Sequence, residues 1–513
     1  MSQSIPSKFV SLVPTNGTEF TVSSGQKVIF ELQPSLALVK GRDSYLVLDI
    51  LNNSSDKKRY MLSNVAGADA IINRVDIYSL RTGQHLETMQ NYNQFSGLAN
   101  QYLFEDKTNL QALQGCGEKV YVNEDNAGGI SAVVNVSENV NNNLLSPINS
   151  TGELVANFRR YTVPLKAGIF RYWDEERLCN VMGLQGLRIE LTLEDPSEAV
   201  FQMIARERDG TNIDITDATV GLDCADVVGA PNATLTTTNG IALNACGFAV
   251  GNEVVIKSNL ADHNTHITAI APNGGDATKL DITLNSTQAI STGVKVVVRN
   301  DTRALKVRPE FRVLSISPPQ NLINEMMKGF SYEFTSYDHF VDNIPANARK
   351  HLIELNSVAS RAVCVMSQFS DVAELGGVKE SSYYKGETPN ELNLNSVVYF
   401  LKSRLVPVRP YDPRVNNEKV IAVNELVKSW NSINKESKDL GNSDGANANH
   451  YTNSFLVGRQ LARSPYYYDL GNAEGQIRLG FSGARGNDTL ADTYIWSRKI
   501  ITVSENGGVQ VVL

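Results

Sequence analysis

The sequence predicts a mainly β protein in which one fold is built twice, with a small β domain set into the first copy. Three observations carry this prediction. Strand periodicity dominates the 513 residues. The two long stretches with helical periodicity each follow a strand and a short loop, and the two halves close on the same kind of strand. The length itself asks for more than one core, because a single hydrophobic core stops growing at roughly 250 to 300 residues.

The strands come first. In "LRIELTLED", residues 187–195, Leu187, Ile189, Leu191 and Leu193 fall on one face and Arg188, Glu190, Thr192 and Glu194 on the other. That is the alternation of a half-buried antiparallel strand. "QKVIFELQP" (26–34), "INRVDIYSL" (72–80), "FRRYTVPL" (158–165), "QIRLGFSG" (476–483) and "SRKIITVS" (497–504) behave alike. The spacing of Leu86, Met89, Tyr92, Phe95, Leu98 and Tyr102 predicts a helix over 86–103, and that of Val420, Val423, Val427, Trp430 and Ile433 a second over 417–434. Phe95 and Trp430 sit on these stripes, and each is expected to bury its ring against the flank of its own half.

The junction is the stretch "FRVLSISPPQNLINEMMKGFSYEFTSYDHF", residues 311–340. It reads as a strand, a stop at Pro318 and Pro319, a short amphipathic helix and a new strand. Between "LRIELTLED" and "FRVLSISPP" the composition changes: from about 210 to 300 there is no tryptophan or tyrosine, and Thr, Val, Ala, Asn and Gly dominate. "NEVVIKS" (252–258), "THITAIAP" (265–272), "KLDITLN" (279–285) and "GVKVVVRN" (293–300) are short strands joined by turn residues, a small barrel or sandwich of its own. The expected division is a first copy over 1–200 completed by 303–325, an insertion over 201–302, and a second copy over 326–513. Long polar loops such as 135–153 suit exposed elaborations.

Composition narrows the function classes. Hydrophobic residues at 42% and charged residues at 20% belong to a folded globular chain. A net charge of −8 argues against a sequence-independent grip on nucleic acid, which needs a concentrated basic surface. No apolar run reaches the length of a membrane span, and "MSQSIPSKFVSLVP" lacks the basic start and apolar core of a signal peptide, so a cytosol-like compartment is expected. The five cysteines, Cys116, Cys179, Cys224, Cys246 and Cys364, are scattered and suit reduced packing residues rather than a disulfide or zinc framework. N-x-S/T triplets such as 16–18 and 149–151 are what an Asn-rich chain contains by chance.

Candidate chemistry is sparse. His263 and His266 in "DHNTH" share an H-x-x-H spacing, but three residues apart on a strand they point to opposite faces, so no metal site is expected. The other histidines, His85, His339, His351 and His450, lie far apart in sequence. Asp174, Glu175 and Glu176 in "RYWDEERLCN" could in principle supply the carboxylates of a glycosidase, and more simply mark a helix N-terminus. No nucleophile elbow, phosphate loop or dinucleotide glycine set occurs. The tyrosine clusters "SPYYYDL" (464–470) and "SSYYKGE" (381–387) suit protein interfaces better than sugar or base stacking. No catalytic, cofactor-binding or metal-ligating residue is assigned, and no cofactor is expected.

The order of elements, with "RRYTVPLKAGIF" running into "GLQGLRIELTLED" and a C-terminal "YIWSRKIITVSENGGVQVV", resembles the double jelly-roll major capsid proteins. The nearest flavour is that of virophages and polinton-like viruses, relatives of the capsid proteins of large DNA viruses and adenovirus. The resemblance spans nearly the whole chain outside the insertion. It implies two jelly-roll β-sandwiches per chain, three chains per pseudo-hexagonal capsomer, and an icosahedral shell around double-stranded DNA. It further implies a structural protein and not an enzyme, made in the host cytoplasm and located in the virion, with itself, neighbouring capsomers, penton and minor capsid proteins as partners. The alternative is a carbohydrate- or receptor-binding β-sandwich of the spike or lectin kind, with Trp173, Tyr466, Tyr467 and Tyr468 as platforms. A β-sandwich hydrolase using Glu175 or Glu176 comes third.

Overall fold

The computed structural model describes residues 6–53, 60–63, 66–103, 113–115, 121–124, 130–134, 144–145, 156–173, 177–202, 222–224, 232–237, 253–257, 263–272, 279–284, 295–298, 303–326, 329–355, 357–372, 388–435, 455–462, 466–471, 475–504 and 508–512. The first copy of the fold comprises β1 (Ser7–Leu12), β2 (Lys27–Leu32), β3 (Leu38–Asn52), β4 (Ile72–Ser79), β5 (His85–Met89), α1 (Tyr92–Leu103), β6 (Arg159–Pro164), β7 (Leu187–Leu193) and β8 (Leu305–Ile316). The second comprises β9 (Phe330–Ile344), β10 (Lys350–Glu354), β11 (Ala362–Asp371), β12 (Leu394–Leu401), β13 (Arg404–Tyr411), α2 (Asn416–Ser432), β14 (Leu456–Gln460), β15 (Gly475–Phe481) and β16 (Thr489–Val503).

Pairing makes the duplication explicit. The first sandwich has sheets ordered β1-β8-β3-β6 and β2-β7-β4-β5; the second has β9-β16-β11-β14 and β10-β15-β12-β13. Adding eight to each strand number of the first pair of sheets gives the second pair. The ladders are antiparallel, and the helix follows the fifth strand in both copies. This is the jelly-roll order, built twice.

Local sequence explains the elements. In β7 the four leucine and isoleucine positions read from the alternation are buried. Glu190, on the other face, is also buried at 4%, because Lys27 and Arg188 both bind its carboxylate. In β16, "DTYIWS" is buried without alternation, the signature of a strand covered on both faces.

The helices differ from expectation in two respects. Leu86 and Met89 belong to β5, where Met89 pairs with Val75 of β4, and α1 begins only at Tyr92. Asn91, with φ 47°, turns the chain between them, and the three-residue steps across this turn imitated one helical stripe. In α2 the buried stripe is Ala422, Leu426, Ser429, Trp430 and then Ile433, whereas Val420 is 69% exposed. The helix lies against β14 so closely that a methyl on Gly458 would meet Leu426 at 2.8 Å. Ala422, Leu426 and Ser429, not Val420, lie on the face turned to this strand and the core. The short helix Gln320–Met326 after the prolines is present, with Gln320, Asn321, Leu322 and Asn324 exposed and Ile323 half-buried.

Between β7 and β8 a separate six-stranded sheet forms in the order Leu222–Cys224, Asn232–Thr237, Lys279–Leu284, His263–Pro272, Glu253–Lys257, Lys295–Val298. Its two end strands approach each other, which curls the sheet toward a barrel. Cys179 and Cys364 are buried free thiols whose pKa burial pushes up to about 12, so they pack and do not react. Cys224 lies on a strand of the small sheet; Cys116 and Cys246 lie outside the described residues. Among the described residues no helix is long and apolar enough to cross a membrane.

Candidate functional site: the seam between the sandwiches

The largest apolar cluster does not stop at the edge of the first sandwich. It joins Phe30, Ile50 and Ile189 of the first copy to Tyr337, Leu426, Trp430, Tyr494 and Trp496 of the second, while a second cluster fills the interior of the second sandwich. The seam is built where β5 runs beside β9. There the Glu87 carboxylate accepts hydrogen bonds from the backbone of Gly168 (3.0 Å) and Ile169 (2.9 Å) and from Ser336 Oγ on β9 (2.7 Å). Burial pushes the Glu87 carboxyl up, against the pull of Ser336 and the Ile169 amide. Tyr332 donates to the Ile169 carbonyl at 2.6 Å, Tyr337 to the Gln90 carbonyl at 3.1 Å, and the Arg171 guanidinium stacks 3.9 Å from the centre of the Tyr332 ring.

Gly168 lets the strand approach. A methyl there would lie 2.0 Å from the Thr335 carbonyl oxygen and 2.9 Å from both the Phe334 ring and Glu87 Oε1. Gly168→Ala is therefore expected to cost about 1 to 3 kcal/mol, as overpacking does, in denaturant titrations. An unchanged midpoint would mean that β9 does not seat on this loop.

Above the polar contacts lies an aromatic cluster. The Phe95 ring of α1 sits 4.7 Å from Tyr337, 5.1 Å from Trp496, 5.5 Å from Trp173 and 5.7 Å from Tyr494, centroid to centroid. Trp173 and Trp496 meet edge-on at 5.0 Å, and Tyr102 of α1 meets Trp430 of α2 at 6.1 Å. These are tilted and T-shaped pairs, the arrangements aromatic quadrupoles favour. Each helix thus buries its large ring in the seam and against the other copy, which corrects the expectation that Phe95 and Trp430 serve only their own halves.

Two buried polar groups flank α1, one in the seam and one within the first copy. His339 Nε2 and Asn91 Nδ2 both reach Asp492 Oδ1, at 2.9 and 3.3 Å, and Tyr494 donates to Gln94 at 3.3 Å. Behind α1, Lys166 Nζ binds Asp69 at 2.8 Å and Ser96 at 2.6 Å, with both charged side chains at 0% exposure.

The residues singled out from sequence fall elsewhere or inside. Trp173 is 1% exposed within the aromatic cluster and Tyr468 6% exposed beneath Lys402, so neither presents a ring face to a sugar. Tyr467 is half-buried under Arg361, and Tyr466 is exposed. Asp174, Glu175, Glu176 and the tyrosines of 381–387 lie outside the described residues. His263 and His266 are three apart on one strand, and among the described residues no group of metal-ligating side chains forms. Glu87, Lys166, His339 and Asp492 were missed. The available signal was a lone charge inside an apolar run, as in "VPLKAGIF", because a charge that cannot reach water needs a buried partner.

No family model and no curated relative matches the chain in sequence. Solved structures do match. The PBCV-1 virus capsid aligns at 12% identity over 100% of this chain and 98% of its own, with a TM-score of 0.50. The Faustovirus major capsid protein aligns at 9% identity over 97% of this chain and 90% of its own, with a TM-score of 0.52. The PBCV-1 protein fitted into the virophage Sputnik aligns at 11% identity and 0.50, over 100% and 98%. Two jelly rolls in series, joined by an aromatic seam and aligned from end to end with these chains, identify a double jelly-roll protein with the fold of viral major capsid proteins.

Proposed function

We propose that the chain is a major capsid protein of a double-stranded DNA virus, assembling as homotrimeric, pseudo-hexagonal capsomers that tile an icosahedral shell. The observation that carries this reading is the end-to-end alignment with the PBCV-1 capsid chain, which takes in both jelly rolls and their connection. The buried seam supports it mechanically: it holds the two sandwiches of one chain as a rigid pair, the unit that three copies need in order to present six similar wedges. Residues 1–200 with 303–325 form the first roll, 201–302 an inserted domain and 326–513 the second roll. Neighbouring capsomers, penton and minor capsid proteins are the partners, the virion is the location and the host cytoplasm the place of synthesis. A structural role needs no catalytic residue. Burial of Trp173 and Tyr468 removes two of the four platforms of the lectin reading.

Light scattering on the purified protein is expected to give three times the chain mass at micromolar concentration, and particle images flat pseudo-hexagonal outlines. A monomer across a range of salt, or elongated fibres, would overturn the reading.

A further inference from the structure

The two copies of the fold treat the outer edge of their second strand differently. In the first copy Leu193 donates to the Gln26 carbonyl, so the alternate residues Lys27 and Ile29 of β2 turn their amides and carbonyls away from β7, to the edge of the sheet. The chain covers that edge itself. Thr15, in the connector 13–26, donates its amide to the Ile29 carbonyl at 2.8 Å. The Asn16 side chain accepts from the Ile29 amide at 3.0 Å and donates to the Lys27 carbonyl at 2.8 Å. Pro14, just before them, is buried.

In the second copy β10 is likewise the end strand of its sheet, and among the described residues none pairs with its outer edge. On the inner side Leu355 donates to Gly475 and Arg349 accepts from Phe481, which leaves Lys350, Leu352 and Glu354 with their amides and carbonyls turned outward. Leu352 lies opposite Arg478 as Ile29 lies opposite Glu190. The connector from β9 is only 345–349, and it leads straight into β10. Between the two strands opens a cleft of about 410 Å³, floored by Phe340, Ile353 and Thr493. Its rim carries Val341, 51% exposed, and Leu352, 38% exposed, together with the carboxylates Asp342 and Glu354; His351 Nε2 lies 3.3 Å from Asp342. We propose that this cleft takes an extended segment of a partner protein. The segment adds to the outer edge of β10 as Thr15 and Asn16 do to β2, sets an apolar side chain into the cleft and brings a lysine or arginine to the acidic rim. The first copy shows the form of the occupant, and the two carboxylates give its charge. This inference does not depend on the capsomer reading.

Two fluorescent peptides test it by anisotropy against the full chain: residues 11–17, "SLVPTNG", extended by a lysine at each end, and the same segment extended by glutamates. The lysine peptide is expected to bind at least about tenfold more tightly than the glutamate one, a preference that shrinks as salt rises. Leu352→Pro removes an outward amide from an edge strand, where proline is tolerated, and should abolish binding. Asp342→Lys with Glu354→Lys keeps the backbone edge and should reverse the order of the two peptides, which carries the test even if Leu352→Pro does not fold. Circular dichroism matching the parent identifies the folded variants. A lysine peptide that fails to bind at millimolar concentration, or that binds the parent and the charge-reversed chain alike, overturns the proposal. So does a lower mass in light scattering for a folded Leu352→Pro chain than for the parent, since the cleft would then belong to a second copy of the chain.

Discussion

Phe95→Ala is expected to destabilise both sandwiches at once, by about 3 to 5 kcal/mol in all, the range for deleting a fully buried phenylalanine ring. The ring is 1% exposed and belongs by sequence to the first copy, yet Tyr337, Tyr494 and Trp496, three of the four rings around it, belong to the second. Removing it leaves a cavity between two strands of one domain and a helix of the other, and neither side can close the gap alone without repacking. Hydrogen exchange resolves where the loss falls. Amides of β9 and β16 should lose protection together with those of α1. Loss confined to the first sandwich would show that the seam carries no stability and that the two rolls fold independently.

Lys166→Met is expected to cost about as much, roughly 3 to 5 kcal/mol, for a different reason. Its ammonium is the cationic partner of Asp69, and with both side chains at 0% exposure the carboxylate left behind has no water to turn to. Ser96 remains to donate to it. The cost is that of an unpaired buried charge and not of the pair's own attraction, so the double variant Lys166→Met with Asp69→Asn should recover a substantial part of the loss. Chemical denaturation of the parent, the single and the double variant measures this directly. A double variant no more stable than the single one would mean that Lys166 acts through packing of its stem instead.

The seam also explains why the chain can be long and still behave as one body. Two sandwiches joined only by the connector around Pro318 and Pro319 would be free to move against each other. Glu87, Gly168 and Ile169 on one side and Tyr332, Thr335 and Ser336 on the other tie them by hydrogen bonds and close contact.

Local sequence settles the β class, the strand-rich halves, the break at Pro318 and Pro319 and the separate character of the Thr- and Val-rich segment after "LRIELTLED". These are local properties: alternation, turn residues and composition act over a few residues and survive in any tertiary setting. It also marked Phe95 and Trp430 as buried, because a large ring on an apolar stripe has nowhere else to go. What it could not determine was against what they are buried. A stripe records that a face is dry and says nothing of which element dries it, so own roll and neighbouring roll read alike. The same limit shifted the first helix start to Leu86, where a strand and a helix met in step across Asn91. It also chose the valines of α2 over Ala422 and Leu426, since which face of the helix meets the strand carrying Gly458 is settled only by packing. Glu87, Lys166, His339 and Asp492 acquire partners from segments far away in the chain, and only the folded arrangement brings those partners within a hydrogen bond.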